Sequence, residues 1–305
     1  MRAAARRWLE TALVAGGGAR LAARMRVARS VVLAYHDIAP DHAPRAGDSS
    51  LHLPRNRFAE HLDALRRFAD VVPLDVLLRG SRQRSGRPRV AITFDDAYAG
   101  AVTDGVREVV ARGMPATIFV APGLLGSRAC WWDALADPVA GEVDPELRER
   151  LLAELNGLDA PITEWAMGAR IRVGRVPSHA RIATVGDLEA AARMPGITIG
   201  SHSWSHASLD RLSPDALRDE LRRPFDWLRE RFSSFRPWLA YPYGIRSPAV
   251  ASAARAAGYE AAFGIAGVTE VEGWAPAFEF ARANVPAGMT AHGLALRVVG
   301  VLGTR

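Results

Sequence analysis

From residue 30 onward, short apolar runs alternate with longer stretches of helical period. The runs at 30–35, 71–73, 90–94, 116–121, 197–200, 238–241 and 259–264 read as buried strands, with a further one at 283–285. Residues 57–68 carry Phe58, Leu62, Leu65 and Phe68 along one stripe, the signature of a helix packed on a core. Helices are also predicted over 102–112, ended by Gly113, over 188–194, and over 248–257, ended by Gly258. A longer one starts at Pro214 with Ser213 as its N-cap, and Pro224 is expected to kink it or end its first part. Residues 127–183 break the rhythm. They hold Trp131-Trp132-Asp133, a helix near 145–155 and polar, loop-like segments, and read as an insertion or lid over one face. The chain thus divides into a basic arm (1–30), one main domain (31–290) interrupted at about 127–183, and a C-terminal tail (291–305).

Seven or eight strands alternating with helices argue for an α/β fold with a parallel sheet and crossover helices. Polar clusters follow the strands at 31–35, 90–94, 197–200 and 238–241. A closed (β/α) barrel would bring those four strand ends to one mouth, whereas an open sheet would gather fewer of them. The run at 90–94 delivers two carboxylates, Asp95 and Asp96. Neighbouring side chains on a continuing strand point to opposite faces, so a shared site requires the chain to curl there, and Tyr98-Ala99-Gly100 permits a turn. Two adjacent carboxylates in a pocket are costly unless a cation or a shared proton relieves them. His202 and His206 lie four residues apart just past another buried strand; on a helical turn they would share a face and grip one divalent metal. One Asp with two His leaves a coordination position open for water, and the second Asp can act as its base. That chemistry is hydrolysis of a carbonyl compound.

Composition narrows the field. The chain has 305 residues, 49% hydrophobic and 24% charged, suited to a soluble domain with a sizeable core. Its one cysteine, Cys130, excludes an internal disulfide and a Cys-rich zinc site and reads as a buried spectator. All 39 basic residues are arginine, at a net charge of +6. The absence of lysine removes Schiff-base chemistry and a Walker-type phosphate loop. Arginine excess attracts nucleic acid, anionic lipid or acidic glycans, but coding by a GC-rich genome is the simpler account, and nucleic acid is not expected as a partner. The arm carries Arg2, Arg6, Arg7, Arg20, Arg24, Arg26 and Arg29 against the single acid Glu10. Its apolar stretch Leu13-Val14-Ala15 runs into three glycines, too short for the roughly 20 residues of a membrane span and poor as a signal-peptide core. The expectation is a cytoplasmic protein or one peripheral to the membrane, touching it through the basic arm.

Thr93-Phe94-Asp95-Asp96, His202-Ser203-Trp204-Ser205-His206 and Tyr241-Pro242-Tyr243-Gly244, in this order, resemble the first three motifs of the polysaccharide deacetylases. These are the nodulation-protein-B homology domains of carbohydrate esterase family four. Val32-Leu33-Ala34-Tyr35-His36, Pro115-Ala116-Thr117-Ile118-Phe119-Val120 and Trp131-Trp132-Asp133 are also similar, so the resemblance spans roughly residues 31–265. It implies a deformed (β/α) barrel of about seven strands and a metal-dependent deacetylase acting on N-acetylated amino sugars of a polysaccharide or lipid-linked glycan. Asp95 would be the general base, and Asp96, His202 and His206 the ligands of a divalent metal. Zinc is the first choice, with cobalt, nickel or iron suited to the same donors. The main chain at Tyr243, following Pro242, would help hold the oxyanion. An O-acetyl esterase, a deformylase and a carbohydrate-binding relative without turnover are the alternatives.

The pattern departs from the family in two places. Many members carry an arginine two residues before the proline of the third motif, steadying the base; here that position is Ala240, and Arg236 and Arg246 are the arginines nearby in sequence. The late Leu-x-His source of the general acid is not evident, and His292 lacks a strand before it. His36 is the better candidate, since it ends a buried strand and some members with a permuted motif order take their acid from an N-terminal Tyr-His pair. A structural histidine bonded to Asp37 is the competing reading. Of Trp131, Trp132 and Trp204, one is expected to line the cleft and stack on sugar. His42, His52, His61 and His179 read as ordinary surface or helix residues.

Overall fold

A computed structural model of the chain describes residue 10 and residues 30–44, 47–80, 87–127, 129–171, 173–265 and 277–300. Apart from Glu10 and Ser30, the arm predicted over 1–30 lies outside the described residues. The strands are β1 (Ser30–Tyr35), β2 (Asp37–Ala39), β3 (His52–Pro54), β4 (Asp70–Val71), β5 (Arg89–Phe94), β6 (Ala116–Val120), β7 (Ile197–Ser201), β8 (Phe235–Ala240), β9 (Ala261–Ile265) and β10 (Phe280–Asn284). Seven of them run in the order β1-β10-β9-β8-β7-β6-β5, and β5 pairs back onto β1, closing a parallel barrel. The closing register sets Tyr35 beside Phe94 and Leu33 beside Ile92. The short β4 extends the sheet beside the first residues of β5, and β2 and β3 form a separate parallel pair. This is the seven-stranded barrel that the alternating pattern and the resemblance imply.

Strand alternation decides what faces where. Val31, Leu33 and Tyr35 of β1 and Val90, Ile92 and Phe94 of β5 belong to the large core between barrel and helices. Val32 and Ala91, one step out of phase, join Phe119, Trp238, Ala240, Phe263 and Phe280 in a smaller apolar core inside the barrel. Continuing the inner parity to the strand ends and just beyond gives His36, Asp95, His202 and Asn284, all of which line one cleft at the C-terminal mouth. The strands that fill the barrel therefore also aim its polar groups.

Outside the barrel, the predicted stripe lies on helix Arg55–Phe68, with Phe58, Leu62 and Leu65 fully buried. The helix expected over 102–112 opens with a wide π turn, Ala101–Gly105, before Val106–Ala111. Gly113 follows in the left-handed conformation that favours glycine at a helix end. Pro224 does not end its helix, which continues through it as Pro214–Arg231. Leu217, Leu221, Phe225 and Leu228 are buried on one side, and that packing outweighs the one main-chain bond proline cannot make. The segment read as an insertion, 127–183, also holds more helix than its polar sequence suggests. It holds the expected helix Pro145–Leu155, capped by the Asp144 side chain, and a second helix, Asp159–Gly168, where loop was predicted. There Ile162 and Ala166 are buried and Trp165 packs partly against the core, a stripe too sparse to read from sequence. The stretch set apart as a tail begins with helix Ala291–Val298, which packs on Arg55–Phe68; its cap residue Thr290 also donates to Glu10. Among the described residues no helix is long and apolar enough to cross a membrane.

Candidate active site

The cleft at the barrel mouth encloses about 180 Å³ and is lined by His36, Asp95, Asp96, His202, His206 and Tyr243 among others. Thr93-Phe94 brings Asp95 to the inner face. The curl that turns Asp96 to the same side falls at Asp96 and Ala97 themselves, with φ of 65° and 59°, rather than at residues 98–100. Nor do His202 and His206 sit on a helical turn. They bracket an irregular loop in which Ser203 and His206 have φ of 63° and 59°. That loop is held from inside, because the His206 N–H donates to Ser203 Oγ at 3.0 Å and Glu220 accepts from the N–H groups of Trp204 and Ser205. Tyr243 is left-handed too, at φ 57°. Among the described residues, five of the seven non-glycine residues with positive φ therefore belong to this mouth, backbone strain that the surrounding packing must sustain.

Asp96 Oδ1 lies 3.4 Å from His202 Nε2 and 3.3 Å from His206 Nε2, and it is buried without a hydrogen-bond partner. Donors about 2.0–2.1 Å from one tetrahedral ion sit about 3.3–3.4 Å from each other, so these three side chains fit a shared divalent metal. His202 Nδ1 donates to the Ala240 carbonyl at 2.7 Å, which turns its bare Nε2 toward Asp96. The His206 ring is set between Trp132 and Tyr243, with centroids at 4.8 and 4.6 Å. Burial is the main force lowering His202 to about 4 and His206 further, so both imidazoles are neutral, the form that binds metal. Burial, reinforced by the charges of Asp95 and Asp133, pushes the Asp96 carboxyl well above the usual carboxylate range; a cation is what would keep it ionised.

Asp95 is pinned by a residue that sequence reasoning missed. Arg282, fully buried on β10, donates from Nη1 to Asp95 Oδ1 at 2.6 Å and from Nη2 to Oδ2 at 2.8 Å. Its guanidinium also lies 5.1 Å from the Phe119 ring inside the barrel and donates to Thr93 Oγ1. Burial alone would raise Asp95, but the charge and hydrogen bonds of Arg282 overcome it and hold the carboxyl at about 2. The guanidinium lacking at Ala240 thus reaches the carboxylate from another strand. The signal was the alternation Phe280-x-Arg282-x-Asn284; a strand read from 283 begins one step too late to include it.

His36 lines the cleft. The competing reading tied it to Asp37, but Asp37 Oδ2 instead takes hydrogen bonds from His52 Nδ1 at 2.8 Å and His179 Nδ1 at 2.6 Å. Burial lowers His36, with the charges of Asp95 and Asp48 pulling the other way. Of the tryptophans, Trp132 lines the cleft, and Trp131 is buried beside it with Nε1 donating to Tyr243 Oη at 3.1 Å. Trp204 lies outside the lining, with the Arg223 guanidinium 3.7 Å from its ring and Gly123 packed against its indole. Pro242 is buried and shapes the turn, while Tyr241, Tyr243 and Gly244 face the cleft. The cleft also takes in Asp48, Arg148 and Asn284, none of them singled out from sequence.

Three histidines read as ordinary surface or helix residues are in fact bonded in the interior. His61 is fully buried between the Tyr35 hydroxyl and the Met289 carbonyl. His52 joins Asp37 to Asp133, and Asp133 takes the Tyr98 hydroxyl, which accepts from Trp132 Nε1. His179 completes the group on Asp37. The bonds come from partners 15 to 228 residues away, which local sequence cannot reveal.

Comparison with known proteins adds the lineage. The family described as polysaccharide deacetylase matches residues 82–262. No curated protein sequence matches the chain significantly. Among solved structures, IcaB from Ammonifex degensii is similar with a TM-score of 0.61 and 19% identity, covering 89% of this chain and 97% of that one. The Streptococcus pyogenes deacetylase PplD, solved with acetate, gives 0.61 at 16% identity over 90% and 99%. BC0361, a polysaccharide deacetylase from Bacillus cereus, gives 0.61 at 13% over 89% and 69%.

Proposed function

The chain belongs to the polysaccharide deacetylase family, and we propose that it removes N-acetyl groups from amino sugars of a glycan in a metal-dependent hydrolysis. Asp96, His202 and His206 would hold the metal, with zinc the first choice among ions that accept two imidazoles and a carboxylate. When bound, such an ion polarises the amide carbonyl and makes water nucleophilic at neutral pH. Asp95, ionised and locked by Arg282, takes the proton from the attacking water. The main-chain N–H at Tyr243 donates to the oxygen that gains charge. His36, which lines the cleft, gives a proton to the departing sugar amine. The carbon–nitrogen bond breaks, and acetate and a free amino sugar leave. The basic arm would add contact with an anionic membrane surface.

The single observation that carries this reading is the pairing, in one cleft, of an aspartate clamped by a buried arginine with an unpartnered aspartate oxygen facing two neutral imidazoles. One carboxylate is prepared as a base and the other as a ligand. The test is acetate release from N-acetylated oligosaccharides, O-acetylated analogues and formamides, before and after chelation and zinc restoration. Chelator-sensitive release of acetate from the N-acetylated glycan is expected. Release from the ester or formamide alone would overturn the N-acetyl assignment, and release that survives chelation would overturn the metal.

A further inference from the structure

Asp48, Arg148 and Trp132 stand in the same cleft as the reacting groups, yet the hydrolysis uses none of them. Arg148 comes from the inserted helix Pro145–Leu155, and its Nη2 donates to Asp48 Oδ2 at 2.9 Å across the mouth. Its side chain is one-third exposed, whereas that of Asp48 is buried. Asp48 is firmly seated, because its Oδ1 accepts from the Ser50 N–H at 3.1 Å and the Ser50 hydroxyl at 2.7 Å, and its own N–H donates to Asp133. The Arg148 guanidinium also lies 5.7 Å from the Trp131 ring.

We propose that the Asp48–Arg148 pair makes the cleft mouth charge-balanced and selects glycans whose sugars beside the reacting residue carry no carboxylate or phosphate. The inference rests on the deacetylase reading and specifies its substrate. A lone guanidinium at the mouth would draw anions, but here a carboxylate at hydrogen-bond distance cancels it. An anionic flanking sugar would have to approach Arg148 beside Asp48 and be repelled. An ammonium-bearing one would have to approach Asp48 beside Arg148. Hydroxyl and acetamido edges meet neither cost, and such a pair offers them both acceptors and donors next to the Trp132 ring.

Three variants test this. Asp48→Asn keeps an acceptor for Ser50 and removes the charge. The ratio of kcat/KM for a carboxylate-bearing N-acetylated oligosaccharide to that for a neutral one should rise about tenfold, and the rise should fade with added salt. Arg148→Gln should move the ratio the other way and improve use of partly deacetylated, ammonium-bearing chains. Asp48→Asn/Arg148→Gln should bring the ratio back toward wild type, which loss of a merely structural contact would not do. Calorimetric binding of the same oligosaccharides should follow the same order without turnover. Ratios and affinities that do not change sign between the two single variants would overturn the charge-balance inference. Wild-type protein that binds these glycans in the expected order but releases no acetate would sink the deacetylase reading instead.

Discussion

Two clusters of one aspartate and two histidines lie among the described residues: Asp96 with His202 and His206, and Asp37 with His52 and His179. Their composition is the same, and both aspartates are buried. Their spacing is not. Around Asp96 the carboxylate–imidazole separations are 3.4 and 3.3 Å, and Oδ1 has no hydrogen-bond partner. Around Asp37 they are 2.8 and 2.6 Å, and His52 reaches a second carboxylate, Asp133, at 3.0 Å. The longer pair matches donors grouped about an ion, the shorter pair atoms sharing a proton. Titration follows the same division. Burial opposes charging His52, but hydrogen bonds to Asp133 and Asp37 raise it to about 10, whereas burial drives His202 down to about 4. On the proposed reading a cation would balance the carboxylate of Asp96, whereas a proton shared with histidine balances that of Asp37.

The largest expected effects fall on the first cluster and its base. Asp95→Asn should lower kcat for acetate release about a hundredfold to ten-thousandfold, the range of a lost general base, with bound metal unchanged. Loss of metal along with activity would instead make Asp95 a ligand. Arg282→Met should cost about 3–5 kcal/mol in denaturant unfolding, because it strands the buried Asp95 charge, and it should lower kcat as well. A variant of near wild-type stability would mean that the clamp is dispensable.

The second cluster predicts smaller changes in stability. His52→Gln should cost about 2–3 kcal/mol at pH 6, the worth of charge-assisted hydrogen bonds to two carboxylates. The folded His52 holds its proton to about pH 10, against an ordinary value of 6.5. Its contribution is therefore complete below pH 6.5 and lost as pH rises through 10, so the gap between wild type and variant should close over that window. A gap that widens with pH would show that His52 is folded neutral. His179→Ala, which removes one bond at the rim, should cost about 1–2 kcal/mol by the same unfolding assay.

The two clusters also show how far the sequence could be read. Asp95, Asp96, His202 and His206 could be picked out because Asp95 and His202 directly follow buried strands, with Asp96 and His206 close behind, and strand ends meet at the mouth of a closed barrel. The closed parallel barrel followed from the alternation of strands with helices, and the burial of Phe58, Leu62 and Leu65 from their helical stripe. Local geometry did not follow: the left-handed turns at Asp96, Ala97, Ser203 and His206 occur at non-glycine residues, and only Asp96 and His206 are of types enriched in that region. Arg282 was hidden because an arginine inside a barrel makes sense only beside the carboxylate it meets, 187 residues away. His52 and His179 were hidden for the same reason, since their partners come from the insertion and from the strand after His36.

Metal content addresses the contrast between the two clusters most directly. Protein loaded with zinc and freed of excess should hold a single tightly bound ion per chain. Asp96→Ala and His206→Ala should lose it, whereas His52→Gln and His179→Ala should keep it. A second tight ion removed by His179→Ala, or an ion that survives Asp96→Ala, would contradict the division between a cluster built for a cation and one built for a proton.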